Sequence, residues 1–194
     1  MTRIIAGSER GRRLAVAAHG TRPTSDRVRE SLFSTLTSIF LAGDMDWEHI
    51  SVLDLYSGSG ALGLEAASRG SRQVVLVEKT HASAEVIRAN IAAVGLPGVA
   101  LVQTTVEALA QRPAIRAHSL VFADPPYDVS GETLGKNLDA LQRAGWIGID
   151  AYVVVERPSR DHASPFPPAW HDFDQRRYGD TVLWYGRPTA MTGE

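Results

Sequence analysis

The stretch VLDLYSGSGALGLEAASRG, residues 52–70, settles the class of fold. It opens with an apolar run broken by one carboxylate, Asp54, then places glycines at 58, 60 and 63, then repeats small and apolar residues up to Gly70. A strand, a glycine loop and a helix in that order begin a βαβ unit. The pattern recurs outward: ISVLDLY (50–56) is the first strand, QVVLVE (73–78) the second, and THASAEVIRANIAAV (80–94) a helix closed by Gly95. VALVQT (99–104) is a third strand followed by a short helical turn, and SLVFAD (119–124) a fourth, stopped by two prolines. A helix around 132–143 precedes YVVVE (152–156), and 170–187 contains two strand-like segments about Tyr178-Gly179-Asp180. Continuous apolar strands between helices predict a mostly parallel, doubly covered α/β sheet of seven strands, its last pair forming an antiparallel edge hairpin.

Upstream of the sheet, RIIAGSERGRRLAV (3–16) has apolar ends and a polar, glycine-punctuated middle, which predicts a small β-hairpin. RPT (22–24) then leads into SDRVRESLFSTLTSIF, where Val28, Leu32, Leu36, Ile39 and Phe40 fall at helical spacing behind a Thr24 or Ser25 cap. The stretch GDMDWEH (43–49) reads as a loop. We divide the chain into a basic hairpin extension, 1–20, and an α/β domain, 21–194. The extension is too short to bury a core of its own, so its removal is expected to leave a folded protein.

With 194 residues, 44% hydrophobic and 22% charged, the composition is that of a globular protein. The absence of cysteine excludes disulfides, thiolate metal sites and a thiol nucleophile. The six histidines show no metal-ligand spacing, so no metal site is expected. No apolar run is long enough for a membrane span and the N-terminus lacks a secretory signal, which predicts a cytoplasmic protein. The net charge of −2 hides an asymmetry: residues 1–30 hold seven arginines against three carboxylates, a net of +4, and the rest of the chain is −6. A basic arm on an acidic body suits a nucleic-acid contact, though a solvated terminus has the same composition.

The glycine spacing alone serves dinucleotides and S-adenosylmethionine (SAM) equally, as does Glu78, which ends the next strand where a carboxylate can hold two ribose hydroxyls. Asp54 separates them. A carboxylate in an apolar strand is costly; beside a pyrophosphate it would repel, whereas beside the cationic sulfonium and amino group of SAM it would attract. Its bland alternative is to cap its own loop through backbone N–H groups.

Asp124-Pro125-Pro126-Tyr127 follows the fourth strand at the carboxyl edge, where open α/β sheets bind ligands. Two prolines fix φ and remove two N–H donors, so the backbone offers acceptors. Asp124 adds another, and Tyr127 a flat face. Acceptors beside a stacking platform suit a planar ring bearing an exocyclic amine; a rigid turn with a packing tyrosine is the structural alternative.

These motifs together resemble a Rossmann-like class I SAM-dependent methyltransferase acting on an exocyclic amine. RIIAGSERGRRL, RPTSDRVRESLF and YGDTVLWY narrow the resemblance to the bacterial 16S ribosomal RNA guanine-N2 methyltransferases of the RsmD type, over nearly the whole chain from Arg3 to about Arg187. The resemblance implies transfer of one methyl from SAM to N2 of a guanine, guanine 966 in that family, in the small ribosomal subunit or its assembly intermediate, by a monomer. It assigns the acceptor site to Asp124, Pro125, Pro126 and Tyr127. Asp54, Gly58 and Gly60 would hold the methionine part of SAM and Glu78 the ribose. After the third strand similar proteins carry Asp-Ala where this chain has Thr105-Val106; the Thr105 hydroxyl would accept from the adenine amine and the Val106 N–H donate to an adenine ring nitrogen. Arg3, Arg10, Arg12, Arg13, Arg22 and Arg27 are the expected RNA contacts. Other readings keep the fold and change the acceptor to adenine N6 of DNA or RNA, or to a glutamine amide. A third keeps only binding, as a non-catalytic ribosome-assembly factor.

Overall fold

The computed structural model describes residues 2–16 and 25–189. The backbone divides into two compact units, Met1–Thr104 and Thr105–Glu194. The first contains β1 (Thr2–Arg3), β2 (Arg13–Leu14), α1 (Asp26–Ala42), β3 (Ser51–Leu55), α2 (Ala61–Arg69), β4 (Gln73–Glu78), α3 (His81–Val94) and β5 (Val99–Gln103). The second contains α4 (Val106–Ala110), β6 (His118–Ala123), α5 (Gly131–Arg143), β7 (Ile147–Pro158), β8 (His171–Tyr178) and β9 (Thr181–Arg187). The seven-stranded sheet has the order β5-β4-β3-β6-β7-β9-β8. Within the first unit β3–β4 and β4–β5 are parallel; within the second β6–β7 is parallel and β7–β9 and β8–β9 antiparallel. This is the doubly wound sheet with an antiparallel edge that the alternating pattern predicts. Among the described residues no helix is long and apolar enough to cross a membrane.

The helices begin where side-chain oxygens can take their orphan N–H groups. Ser25 accepts from the Val28 N–H, Thr80 from Ser83, Thr105 from Ala108 and Ser130 from Thr133. Leu32, Phe33, Leu36 and Phe40 give α1 its buried face. The segment 43–49, read as a loop, contains a 3₁₀ turn at Trp47–His49 that buries Trp47 against Phe33 and Phe40, with ring centroids 5.5 and 5.1 Å away.

The N-terminal hairpin forms, with Thr2 opposite Leu14 and Arg3 opposite Arg13. It is not a loose appendage. Ile4 and Leu14 are buried, and the buried Glu65 on α2 accepts the Ile5 and Ala6 N–H groups at 2.6 and 3.1 Å. Ser68 donates to the Ala6 carbonyl and accepts from the Glu9 N–H, at 2.7 and 3.0 Å. The expectation that removal of the hairpin leaves a folded protein therefore has to reckon with these contacts. Its deletion would leave a buried carboxylate without two of its donors and uncover an apolar face, so the hairpin is part of the first unit's core.

Candidate active site

The first unit supplies a loop built around two carboxylates. Asp54 lies one residue from the end of β3 with 2% of its surface exposed. Its Oδ2 accepts from the Gly63 N–H at 2.9 Å, at the start of α2. Glu78 ends β4, and its Oε2 accepts from the Gly58 N–H at 3.0 Å. Its Oε1 accepts from the Thr80 N–H and hydroxyl at 2.8 and 3.0 Å. Ser57 ties the two strand tips together by donating to the Asp54 carbonyl at 2.6 Å and accepting from the Val77 N–H at 2.8 Å. Gly60 caps α2, its N–H donating to the Ser57 carbonyl at 2.7 Å.

Two glycines of the loop have opposite tasks. A Cβ on Gly63 would stand 2.3 Å from Leu76 Cδ2 and 2.9 Å from Val74 Cγ1, so this glycine lets α2 close onto β4. A Cβ on Gly58 would meet no protein atom within 4 Å, although the residue holds φ at 58°. Gly58 exposes its backbone to open space at the strand tips. That is where a ligand's approach needs the absence of a side chain.

The electrostatics choose the sign of that ligand. Burial, with a smaller push from the Glu78 charge, takes the Asp54 carboxyl up to about 7 against the opposing Gly63 hydrogen bond. Burial is the first cause, and the charge that adds to it is another carboxylate, Glu78. A pyrophosphate would add to this negative charge; a sulfonium or amino cation would relieve it. The open cradle at Gly58 and the two acidic strand ends therefore fit SAM. Asp54 Oδ2 takes the Gly63 N–H, so the capping role weighed as its alternative is present. Glu78 likewise braces the loop, and its three accepted hydrogen bonds leave it acceptor capacity.

The second unit supplies the acceptor loop and a helix start. Asp124 is half-buried just beyond β6, Pro125 is buried, and Tyr127 is 64% exposed. The Pro126 carbonyl accepts from the Val129 N–H at 3.0 Å, so the loop closes as a turn around it. The Arg160 guanidinium stands 5.9 Å from the centroid of the Tyr127 ring. Thr105 caps α4 by accepting from the Ala108 N–H at 3.1 Å, and Val106 occupies the first helical position, whose N–H has no intrahelical acceptor.

Of the expected RNA contacts, Arg3, Arg10, Arg12, Arg13 and Arg27 are exposed, and Arg22 lies outside the described residues. Two are engaged at the surface: Arg12 with Glu9 at 2.8 Å and Arg3 with Asp26 at 3.5 Å. Other residues of the site escaped the sequence reading. Asn90 on α3 is buried, exchanges hydrogen bonds with the Ala15 N–H and carbonyl at 2.8 and 3.0 Å, and donates to the Ser59 carbonyl at 2.8 Å. It thereby ties the hairpin's end to the glycine loop. Tyr56, directly before that loop, holds φ at 57°, a strained value for a residue with a side chain. Arg29, in a helix read as polar at that position, is buried and donates to the Arg3 carbonyl and to Asp26. Asn90 falls at helical spacing with Ile87 and Val94, which marks it for the buried face, but nothing local names its partners.

Comparison with known proteins agrees with this architecture. The profile of the family described as "Conserved hypothetical protein 95" matches residues 2–187. The chain is 34% identical over 170 residues to "Ribosomal RNA small subunit methyltransferase D" of Escherichia coli (strain K12), covering 87% of this chain and 80% of that protein. It is 32% identical over 158 residues to "Putative rRNA methyltransferase YlbH" of Bacillus subtilis (strain 168), covering 79% and 81%. Among solved structures, "Putative methyltransferase yhhF from Escherichia coli" superposes with a TM-score of 0.81 at 30% identity, over 98% of this chain and 99% of that one.

Proposed function

The chain belongs to the family described as Conserved hypothetical protein 95, the RsmD-type methyltransferases, and on that premise we propose that it transfers a methyl group from SAM to the exocyclic N2 of a guanine in 16S rRNA. In this reading the target is guanine 966, in the small subunit or its assembly intermediate, and the enzyme works as a cytoplasmic monomer, as the sequence resemblance implies.

The observation that carries the amine chemistry is the acceptor loop. Asp124 is half-buried beside two prolines that offer no N–H, and the next residue, Tyr127, presents an exposed ring. Guanine N2 is a poor nucleophile because its lone pair is conjugated into the ring. Asp124 and the Pro125 carbonyl accept its two N–H bonds, turn the lone pair out of conjugation and stabilise the positive charge that grows on N2. Tyr127 receives the face of the base once it has left its stack. When bound, SAM supplies an electrophilic methyl group on a sulfonium. Asp54, Gly58 and Glu78 hold the loop that orients that donor, Thr105 and Val106 are assigned to its adenine, and positioning at ~3–3.5 Å provides most of the acceleration. After transfer, the proton shed by N2 leaves through Asp124 to water. No covalent enzyme adduct through a thiol is open to a chain with no cysteine.

The test is incubation with tritiated SAM and separate pools of rRNA, DNA and protein, followed by primer extension on the labelled rRNA. Label in rRNA with a stop at guanine 966 is expected, and Asp124→Ala should slow transfer on the order of 10²–10³-fold with SAM affinity unchanged. Label in DNA or protein alone would replace this reading with an adenine-N6 or amide methyltransferase. SAM binding without label in any pool would return the chain to a non-catalytic assembly factor.

A further inference from the structure

Beside Tyr127 the second unit holds a cavity of about 500 Å³, within the ~300–1,000 Å³ typical of small-ligand sites. One wall is drawn from 127–132 and the other from 157–165. Asp124, Pro125 and Pro126 do not line it. It is a neighbour of the amine-binding loop that shares only Tyr127 with it, and the methyl-transfer chemistry above makes no use of it.

The cavity is braced. Arg157 is 5% exposed, and its Nε and Nη2 donate to Asp161 Oδ2 at 2.9 and 2.6 Å. Its Nη1 donates to the Val129 carbonyl at 2.8 Å. One buried guanidinium thus joins the 157–161 segment to the 127–132 wall. Tyr127 and Arg160, both exposed, line the cavity together, the guanidinium carbon standing over the ring 5.9 Å from its centroid. Phenol rings and guanidinium planes are the two side-chain surfaces on which unstacked RNA bases settle.

The polar lining decides between a base and a phosphate. Asp128, Glu132 and Asp161 bring three carboxylates to the walls, against Arg157, already held by Asp161, and Arg160. Glu132 pairs with Lys136 at 2.6 Å, outside the lining. A phosphate would meet this carboxylate excess with one uncommitted lining guanidinium at most. A flat ring whose edge carries N–H donors would find acceptors on both walls. Resting on the RNA substrate proposed above, we infer that this cavity receives the base of a nucleotide neighbouring the methylated one, stacked on Tyr127 and Arg160, with the amino-bearing bases guanine, adenine and cytosine preferred over uracil.

Two measurements on the full chain test this. In the first, the four nucleoside 5′-monophosphates are titrated into ¹⁵N-labelled protein. Amide shifts at Ser130, His162 and Ala163 are expected, larger with GMP, AMP and CMP than with UMP, and lost in Ala163→Trp, which fills the cavity from an exposed position without removing a hydrogen bond. In the second, small-subunit particles lacking the methyl group are the substrate. Ala163→Trp and Arg160→Ala should each raise KM about ten-fold, a scale set by the loss of one base–side-chain stack, with kcat within about two-fold. Monophosphate shifts that persist in Ala163→Trp, a response no weaker with UMP, or an unchanged KM in both variants would overturn the proposal. If wild-type protein methylates no particle, the substrate reading fails, while the monophosphate titration still decides the cavity.

Discussion

Replacing Asp54 with asparagine isolates the electrostatic character of the glycine loop. The carboxyl is buried and pushed from 3.8 up to about 7, by burial first and by Glu78 in addition. The folded state therefore binds this proton more tightly than the unfolded chain does. Its contribution to stability is complete below about pH 3.8, declines as the pH rises, and is lost once the pH has passed about 7. Three units at ~1.4 kcal/mol each make the full loss about 4 kcal/mol, a large share of the ~5–15 kcal/mol that holds a typical domain. Asparagine keeps an oxygen for the Gly63 N–H, 2.9 Å away in the parent, but never ionises. Urea unfolding at pH 5, 6, 7 and 8 without SAM should show Asp54→Asn gaining about 3 kcal/mol on the parent between the ends of that range. His118 also titrates here. Burial lowers its pKa, so its contribution is present above about 6.5 and lost as the pH falls, but it does so in both proteins and cancels in the difference. Saturating SAM should shrink the parent's decline, because a nearby cation favours the ionised carboxylate. Stability curves that run parallel from pH 5 to 8 would refute the argument, and with it the case that the loop seeks a cation.

The remaining predictions address the loop, Glu78 and the arm. Gly63→Ala should destabilise the protein by about 1–3 kcal/mol through overpacking against Leu76 and Val74, read as a lower urea midpoint. Gly58→Ala should carry only the left-handed backbone penalty of roughly 1–2 kcal/mol but weaken SAM in calorimetry, and equal SAM affinity in both variants would remove Gly58 from the cradle. Glu78→Ala should weaken SAM by roughly 1.5–3 kcal/mol and, since Glu78 also holds the Gly58 and Thr80 N–H groups, speed amide exchange at both. In the arm, neutralising Arg10 and Arg13 together should flatten the slope of log K against log salt for RNA by about 1.4–1.8. Arg12→Gln should change it less, because Glu9 already holds that guanidinium. Identical slopes for all would make the arm a structural element alone.

The sequence by itself determined what depends on near neighbours. Alternation of apolar strands with capped helices named the fold because periodicity, a Ser or Thr cap and a closing glycine act over a few residues. Asp54, the 58–60–63 glycines, Glu78 and Asp124–Tyr127 were legible because each sits at a strand end marked by its own local punctuation. Only the tertiary structure decided the tasks that distant partners impose. Glu65 takes N–H groups 60 and 59 positions away, and Asn90 reaches Ala15 across 75, so neither has a local signature. Those bonds turned a hairpin that reads as detachable into part of the first unit's core. The same holds within the loops: that Gly63 packs while Gly58 opens outward, and that the Pro126 carbonyl closes on Val129, follows from what stands opposite each atom. Arg157 and Arg160 read as two arginines in a polar stretch until the fold sets one as a buried brace and the other over Tyr127. Local periodicity fixes which element a residue joins, but a hydrogen-bond partner or a neighbouring ring is fixed only when the chain returns to meet it.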